Sequence, residues 1–184
     1  MDNAFFEASK VESRSREILH PFIEQRAMNG QYVTTDKGRL SKELQKTIGD
    51  VLMNTNDGRI SAVEIKAEQQ NKHGNLFLEL WSNLSRYTPG WMVTLNCDVL
   101  LYHFIEDDLL CVVDFQKLKK WAFRDKSNRS PHQVGNIWRF PLRPQRAYTQ
   151  LNDTHGACVP ISVIRAEVGI AEFHPMALSI GNAA

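Results

Sequence analysis

The stretch that most constrains this chain is Ile48 to Lys66, which reads IGDVLMNTNDGRISAVEIK. Two apolar runs, Asp50 to Asn54 and Arg59 to Lys66, flank the breakers Asn56, Asp57 and Gly58, and together they predict a β-hairpin. A turn centred on Asp57 puts Asp50 opposite Glu64. Alternate residues share a face of a strand, so Ile60, Ala62, Glu64 and Lys66 point one way and Ser61, Val63 and Ile65 the other, with Asp50 on the face of Glu64. Like charges directly across an antiparallel pair are unfavourable unless a cation neutralises them. Lys66 supplies one positive charge, and a divalent metal would supply the remainder. Two oxygen ligands with open positions suit Mg²⁺ or Mn²⁺, which keep several waters and take further oxygens from a phosphate. The chemistry this implies is metal-assisted phosphodiester hydrolysis. A Glu two residues before a Lys is by itself common. Its weight comes from its place at the end of an apolar strand, opposite an Asp. The competing reading is an exposed strand with a surface ion pair between Glu64 and Lys66.

The arrangement Asp50, Glu64-x-Lys66 resembles the PD-(D/E)xK nuclease superfamily. The continuation, Gly74-Asn-Leu-Phe-Leu-Glu79 through Pro89-Gly-Trp91 to Cys97-Asp-Val-Leu-Leu-Tyr102, is similar to its phage and Holliday-junction-resolvase branch, so the resemblance covers roughly residues 5 to 115. Gly49 stands where the family name has proline. The resemblance implies an α/β fold, a restriction-endonuclease-like αβββαβ core with a mixed central sheet flanked by helices. It implies Asp50, Glu64 and Lys66 as catalytic residues, and Mg²⁺, with Mn²⁺ able to substitute, held by Asp50, Glu64 and the Ile65 backbone carbonyl. In resolvase-like members the first helix adds a Glu to the metal site; Glu12 and Glu17 are the candidates here, Glu12 preferred. Glu79 is either an outer metal ligand or bound to a backbone group. The expected substrate is DNA, with structure-selective cleavage of junctions or branches in phage-type recombination, repair or processing, leaving 5′-phosphate and 3′-hydroxyl ends. The expected assembly is a homodimer. The alternative is a non-catalytic DNA-binding or virion and packaging accessory protein that retains the fold.

At 184 residues the chain is expected to form one domain. Residues 1–175 make up the nuclease domain, with a core at about 5–124 and a basic segment and C-terminal helix at 125–175; 176–184 form a disordered tail. A net charge of +1 excludes a globally basic protein, so a nucleic-acid surface must be a local patch. No apolar run reaches membrane-spanning length, and acids stand where a signal peptide would be basic, so a cytoplasmic protein, phage-encoded in a bacterial host, is expected. The three cysteines are widely spaced and read as reduced, mostly buried thiols.

Along the chain, residues 4–27 carry an apolar stripe at helical spacing, interrupted by Pro21, which should kink or end a helix near His20. Gln31 to Thr35 reads as an edge strand and Arg39 to Lys46 as a short polar helix or loop, bringing Lys42 and Lys46 near the metal site. Gln69 or Gln70 is a candidate polar group at the cleft, and His73 a phosphate contact. Leu76 to Trp81 alternates as a strand, with Trp81 assigned to the core. Arg86, Tyr87 and Trp91 suit a DNA-facing loop, because an Arg holds phosphate while rings stack on bases. Val99 to Ile105 and Leu109 to Phe115 form a second hairpin, followed by a helix from Phe115 to Arg124 capped by Asp114. Lys117 to Arg146 holds nine cations against the single acid Asp125. Clustered Lys and Arg on a nearly neutral chain are the footprint of a polyanion surface, with Lys119, Lys120, Arg124, Lys126 and Arg129 as its candidate contacts. Asp125 to Gln133 reads as a mobile loop, Ala157 to Pro160 as a short strand, Ser162 to Phe173 as a helix, and His155 as structural.

Overall fold

In the computed structural model, which describes residues 3–35, 41–124, 136–137, 139–145 and 153–176, the chain opens with helix α1 (Asn3–Arg26). Its Leu19, Phe22 and Ile23 recur at helical spacing and are buried. The break expected at Pro21 does not occur. Pro21 lies on the exposed face, where the carbonyl left without its N–H partner can be hydrated, and the buried side chains on either side pin the helix across it. The chain then enters strand β1 (Ala27–Thr34), longer than expected. Asn29 and Gly30, at φ of 54° and 67°, lie where its pairing shifts register. Helix α2 (Ser41–Ile48) leads to the hairpin of β2 (Val51–Thr55) and β3 (Ile60–Glu68). Val51 pairs with Val63 and Leu52 with Ala62, the register that carries Asp50 opposite Glu64.

The following elements are β4 (Asn75–Asn83), β5 (Thr88–Pro89), α3 (Trp91–Thr94), β6 (Val99–Phe104) and β7 (Leu109–Asp114). After them come α4 (Phe115–Ala122), three two-residue strands β8 (Asn136–Ile137), β9 (Phe140–Pro141) and β10 (Arg143–Pro144), then β11 (His155–Pro160), α5 (Ile161–Glu167) and β12 (Ala171–Phe173). The fold is mixed α/β. Its central sheet has six strands in the order β1-β2-β3-β6-β7-β12, parallel between β3 and β6 and antiparallel elsewhere. Helices flank it. Strand β4 is not part of that sheet; it joins a second sheet ordered β10-β11-β4-β5.

The pleat decides what each face meets. Val51, Val63, Ile65, Leu101 and Leu110 pack with Leu19, Phe22 and Ile23 under α1. On the other face Leu100, Tyr102, Phe104, Cys111 and Val113 meet Leu76, Leu78 and Leu80 of β4, with α4 and α5 contributing Leu118, Trp121 and Ile164. Asp114 caps α4 by accepting from the Lys117 N–H at 2.9 Å, as its position suggests. The helix expected from Ser162 to Phe173 stops at Glu167. Gly169 takes φ +99° and its N–H returns to the Ile164 carbonyl at 2.9 Å, a glycine stop, after which Ala171–Phe173 pairs with β7 as an edge strand. The segment Asp125 to Gln133 and the tail from Ala177 to Ala184 lie outside the described residues. Among the described residues no helix is long and apolar enough to cross a membrane.

Candidate active site

Gly49 is the joint between α2 and β2. At φ +101°, a Cβ there would lie 2.7 Å from the Val63 carbonyl oxygen, so in this conformation the position takes neither proline nor any side chain without movement. The tight approach seats the next residue. The Asp50 N–H donates to Val63 O at 2.8 Å, the Thr35 N–H donates to Asp50 O at 2.8 Å, and the Thr35 hydroxyl donates to Gly49 O at 2.6 Å. Asp50 is thereby held at the end of the hairpin, buried, on the face of Glu64.

The Asp50 carboxylate is heavily engaged. Oδ1 accepts from Arg16 Nη2 at 2.7 Å and Gln45 Nε2 at 2.5 Å, while Oδ2 accepts from the Ile65 N–H at 2.9 Å. Arg16 also donates to Glu12 Oε1 at 3.0 Å, one helical turn away. Glu64 is differently placed. Its Oε1 lies 2.6 Å from Lys66 Nζ, whereas its Oε2 is buried with no hydrogen-bond partner among the described residues. Burial pushes the Glu64 carboxyl up to about 7 against the pull of Lys66, and the Asp50 charge adds to the rise. For Lys66, burial works against the ammonium, but the Glu64 carboxylate, joined by Asp50 and Glu12, outweighs burial and holds the amine above its ordinary value. Glu79 is raised by burial, opposed by Lys66 and by a hydrogen bond from the Trp91 backbone. The Glu79 side chain packs against Gly90, where a Cβ would come within 2.7 Å of Glu79 Cγ.

One cleft of about 400 Å³ gathers Glu12, Asp50, Glu64, Lys66 and Glu79, with Gln45 and Lys46 on one side and Thr88, Pro89 and Trp91 on the other. Its lining draws on the β2–β3 hairpin and on β4 and β5 of the second sheet. The Trp91 ring centroid lies 5.7 Å from Lys66 Nζ. The two readings of Glu79 meet here, since it lines the cleft and also takes the Trp91 backbone bond. Among the described residues no group of three or more His, Cys, Asp and Glu side chains is close enough to hold a metal ion. The carboxylates that line the cleft are those of Glu12, Asp50, Glu64 and Glu79.

The remaining candidates disperse. Lys46 is exposed at the cleft wall. Arg86 and Tyr87 project from the turn between β4 and β5, both exposed. Lys119 is committed to the fold: its ammonium donates to the carbonyls of Val93 at 3.0 Å and Leu95 at 2.5 Å, and burial lowers its pKa. Lys120 is exposed on α4. Arg124 lies 3.7 Å from Glu167, which also accepts from Trp121 Nε1 at 2.8 Å and Arg139 at 2.5 Å, so an acid distant in sequence offsets part of the basic segment. The Lys42 side chain, Lys126 and Arg129 lie outside the described residues. Glu17 is exposed and lines a different cavity, beneath α1 with His20 and Tyr32. Gln69 and Gln70 bond Glu106, and His73 lines a cavity with Glu68 and Cys158, so none of these three serves the cleft.

Arg16 and Gln45 are the site residues that sequence reasoning missed. The only signal for Arg16 was its pairing with Glu12, one helical turn before it, and that spacing does not point to Asp50. Gln45 had none, since its reach to Asp50 depends on the turn at Gly49. No family model, curated protein or solved structure matches this chain.

Proposed function

We propose that the chain carries a restriction-endonuclease-like core and acts as a metal-dependent deoxyribonuclease of the PD-(D/E)xK type, selective for junction or branched DNA. The observation that carries this reading is the convergence of Asp50, Glu64 and Lys66 in one cleft, with a buried Glu64 oxygen that no hydrogen-bond donor among the described residues meets. An unsatisfied buried acceptor costs on the order of 1–3 kcal/mol, and more for a charged one, so a fold keeps it where something else compensates. A hard divalent cation fits: the donors are all oxygen, and Asp50, Glu64 and the Ile65 carbonyl leave positions for water and phosphate, as Mg²⁺ or Mn²⁺ requires. When bound, such an ion would polarise the scissile phosphate and lower the pKa of the attacking water.

The chain's own groups divide the remaining work. Lys66, kept charged by Glu64, presents a fixed ammonium to the negative charge that builds on the phosphate oxygens. The Ile65 N–H and Gln45 fix the orientation of the Asp50 carboxylate before substrate arrives. Lys46 at the cleft wall and Arg86 at the β4–β5 turn supply phosphate contacts outside the reacting centre.

The test is cleavage of labelled linear duplex, single-stranded, flap and four-way-junction DNA with Mg²⁺, Mn²⁺ or chelator, using wild type beside Glu64→Ala and Lys66→Ala. Cutting that requires metal, vanishes in both variants and is fastest on branched DNA is the expected outcome. DNA binding without cutting under every condition would overturn the enzyme and leave a DNA-binding or packaging accessory protein.

A further inference from the structure

Asp50 and Glu64 face one another, yet their oxygens are used differently. Both lone pairs of Asp50 Oδ1 are taken, one by Arg16 and one by Gln45. Glu64 Oε2 has no hydrogen-bond donor among the described residues. A divalent cation drawn to Glu64 therefore meets, at Asp50, a guanidinium already in place. Arg16 does not belong to Asp50 alone: the same Nη2 lies 3.0 Å from Glu12 Oε1 and 2.7 Å from Asp50 Oδ1. Its side chain is partly exposed and Glu12 more so, whereas Asp50 is buried. The guanidinium thus has a solvent-side carboxylate to hold it when it leaves the buried one.

Resting on the nuclease reading, we propose that Arg16 is a positioning residue that competes with the divalent cation for Asp50, and that Glu12 acts as the acceptor to which Arg16 withdraws rather than as a metal ligand. In the metal-free protein Arg16 neutralises Asp50 and keeps its carboxylate in the orientation set by the Ile65 N–H. Cation binding displaces the guanidinium from Oδ1 toward Glu12, and the Oδ2 to Ile65 bond stays in place. A cation faces Asp50 on both sides of the exchange, singly charged before it and doubly charged after it, so the carboxylate is never buried without a partner.

The experiment is Mn²⁺ binding without DNA, read by electron paramagnetic resonance of the free ion and by titration calorimetry. It uses wild type, Arg16→Gln, Arg16→Lys, Glu12→Gln, the Arg16→Gln/Glu12→Gln double variant and a Glu64→Gln control, each checked for its fold by circular dichroism. Arg16→Gln removes the competitor and should bind Mn²⁺ at least ten-fold more tightly than wild type, with Arg16→Lys between the two. Glu12→Gln should weaken binding several-fold in the wild-type background and have no effect in the Arg16→Gln background. A guanidinium that merely braces Asp50 gives unchanged or weaker binding in Arg16→Gln, which overturns the competition. Equal weakening by Glu12→Gln in both backgrounds makes Glu12 a direct ligand and overturns its assigned role. If wild type binds Mn²⁺ no better than Glu64→Gln, the metal site itself fails, and the nuclease reading falls with it.

Discussion

His103 on β6 is buried, with Nδ1 2.9 Å from the Ser15 hydroxyl and Nε2 lacking a partner among the described residues. Burial drives its pKa down from 6.5 to about 4. A depressed imidazole contributes stability above its unfolded value that is lost as pH falls toward the folded one, because the unfolded chain takes up the proton first. Urea denaturation should accordingly show wild type losing about 2 kcal/mol more than His103→Gln between pH 7 and pH 5. Gly49→Ala makes a second residue-scale test. A methyl group within 2.7 Å of the Val63 carbonyl, at φ +101°, should cost about 2–3 kcal/mol by the same measurement, since backbone rather than a mobile side chain must yield. At this scale Asp50, Glu64 and Lys66 were legible because the two-residue pleat and one turn suffice to bring them to a common face. Arg16 and Gln45 were not, because their approach to Asp50 is set by how two separate helices lie on the sheet.

Among the elements, α4 has a role that its charge conceals. Lys119 reads as part of a polyanion surface, but its ammonium ties the carbonyls at the end of α3 to α4. Lys119→Met, which keeps the aliphatic stem, should lower unfolding free energy by about 1–2 kcal/mol and leave DNA affinity of the folded protein unchanged. Lys46→Ala, at the cleft wall, should weaken DNA binding and reduce its salt dependence by about one counterion. Helices and strands with a strong period of their own were visible in the sequence: α1, the hairpin of β2 and β3, the β6–β7 hairpin and α4 with its Asp114 cap. The α5–β12 boundary was missed because Val168, Ile170 and Phe173 continue an apolar pattern across Gly169, and only pairing with β7 makes the last three residues a strand.

For the whole molecule, the apolar faces of the central and second sheets form one core, with Leu78 from β4 and Leu100 from β6 both fully buried. Two sheets that share a core should unfold together. Leu78→Ala and Leu100→Ala should each lower stability by about 3–4 kcal/mol and leave one transition, with far-UV and tryptophan signals coincident in denaturant; separate transitions would mean that the second sheet folds by itself. The sequence by itself determined the mixed α/β class, the hairpin register and the face shared by Asp50, Glu64 and Lys66, because these follow from local periodicity and one turn. Only the tertiary structure decided that β4 leaves the central sheet to build the far wall of the cleft, that Arg16 and Gln45 converge on Asp50, and that Glu167 answers the basic segment. These depend on contacts between residues far apart in the chain, and no local pattern encodes which distant surface a given face will meet.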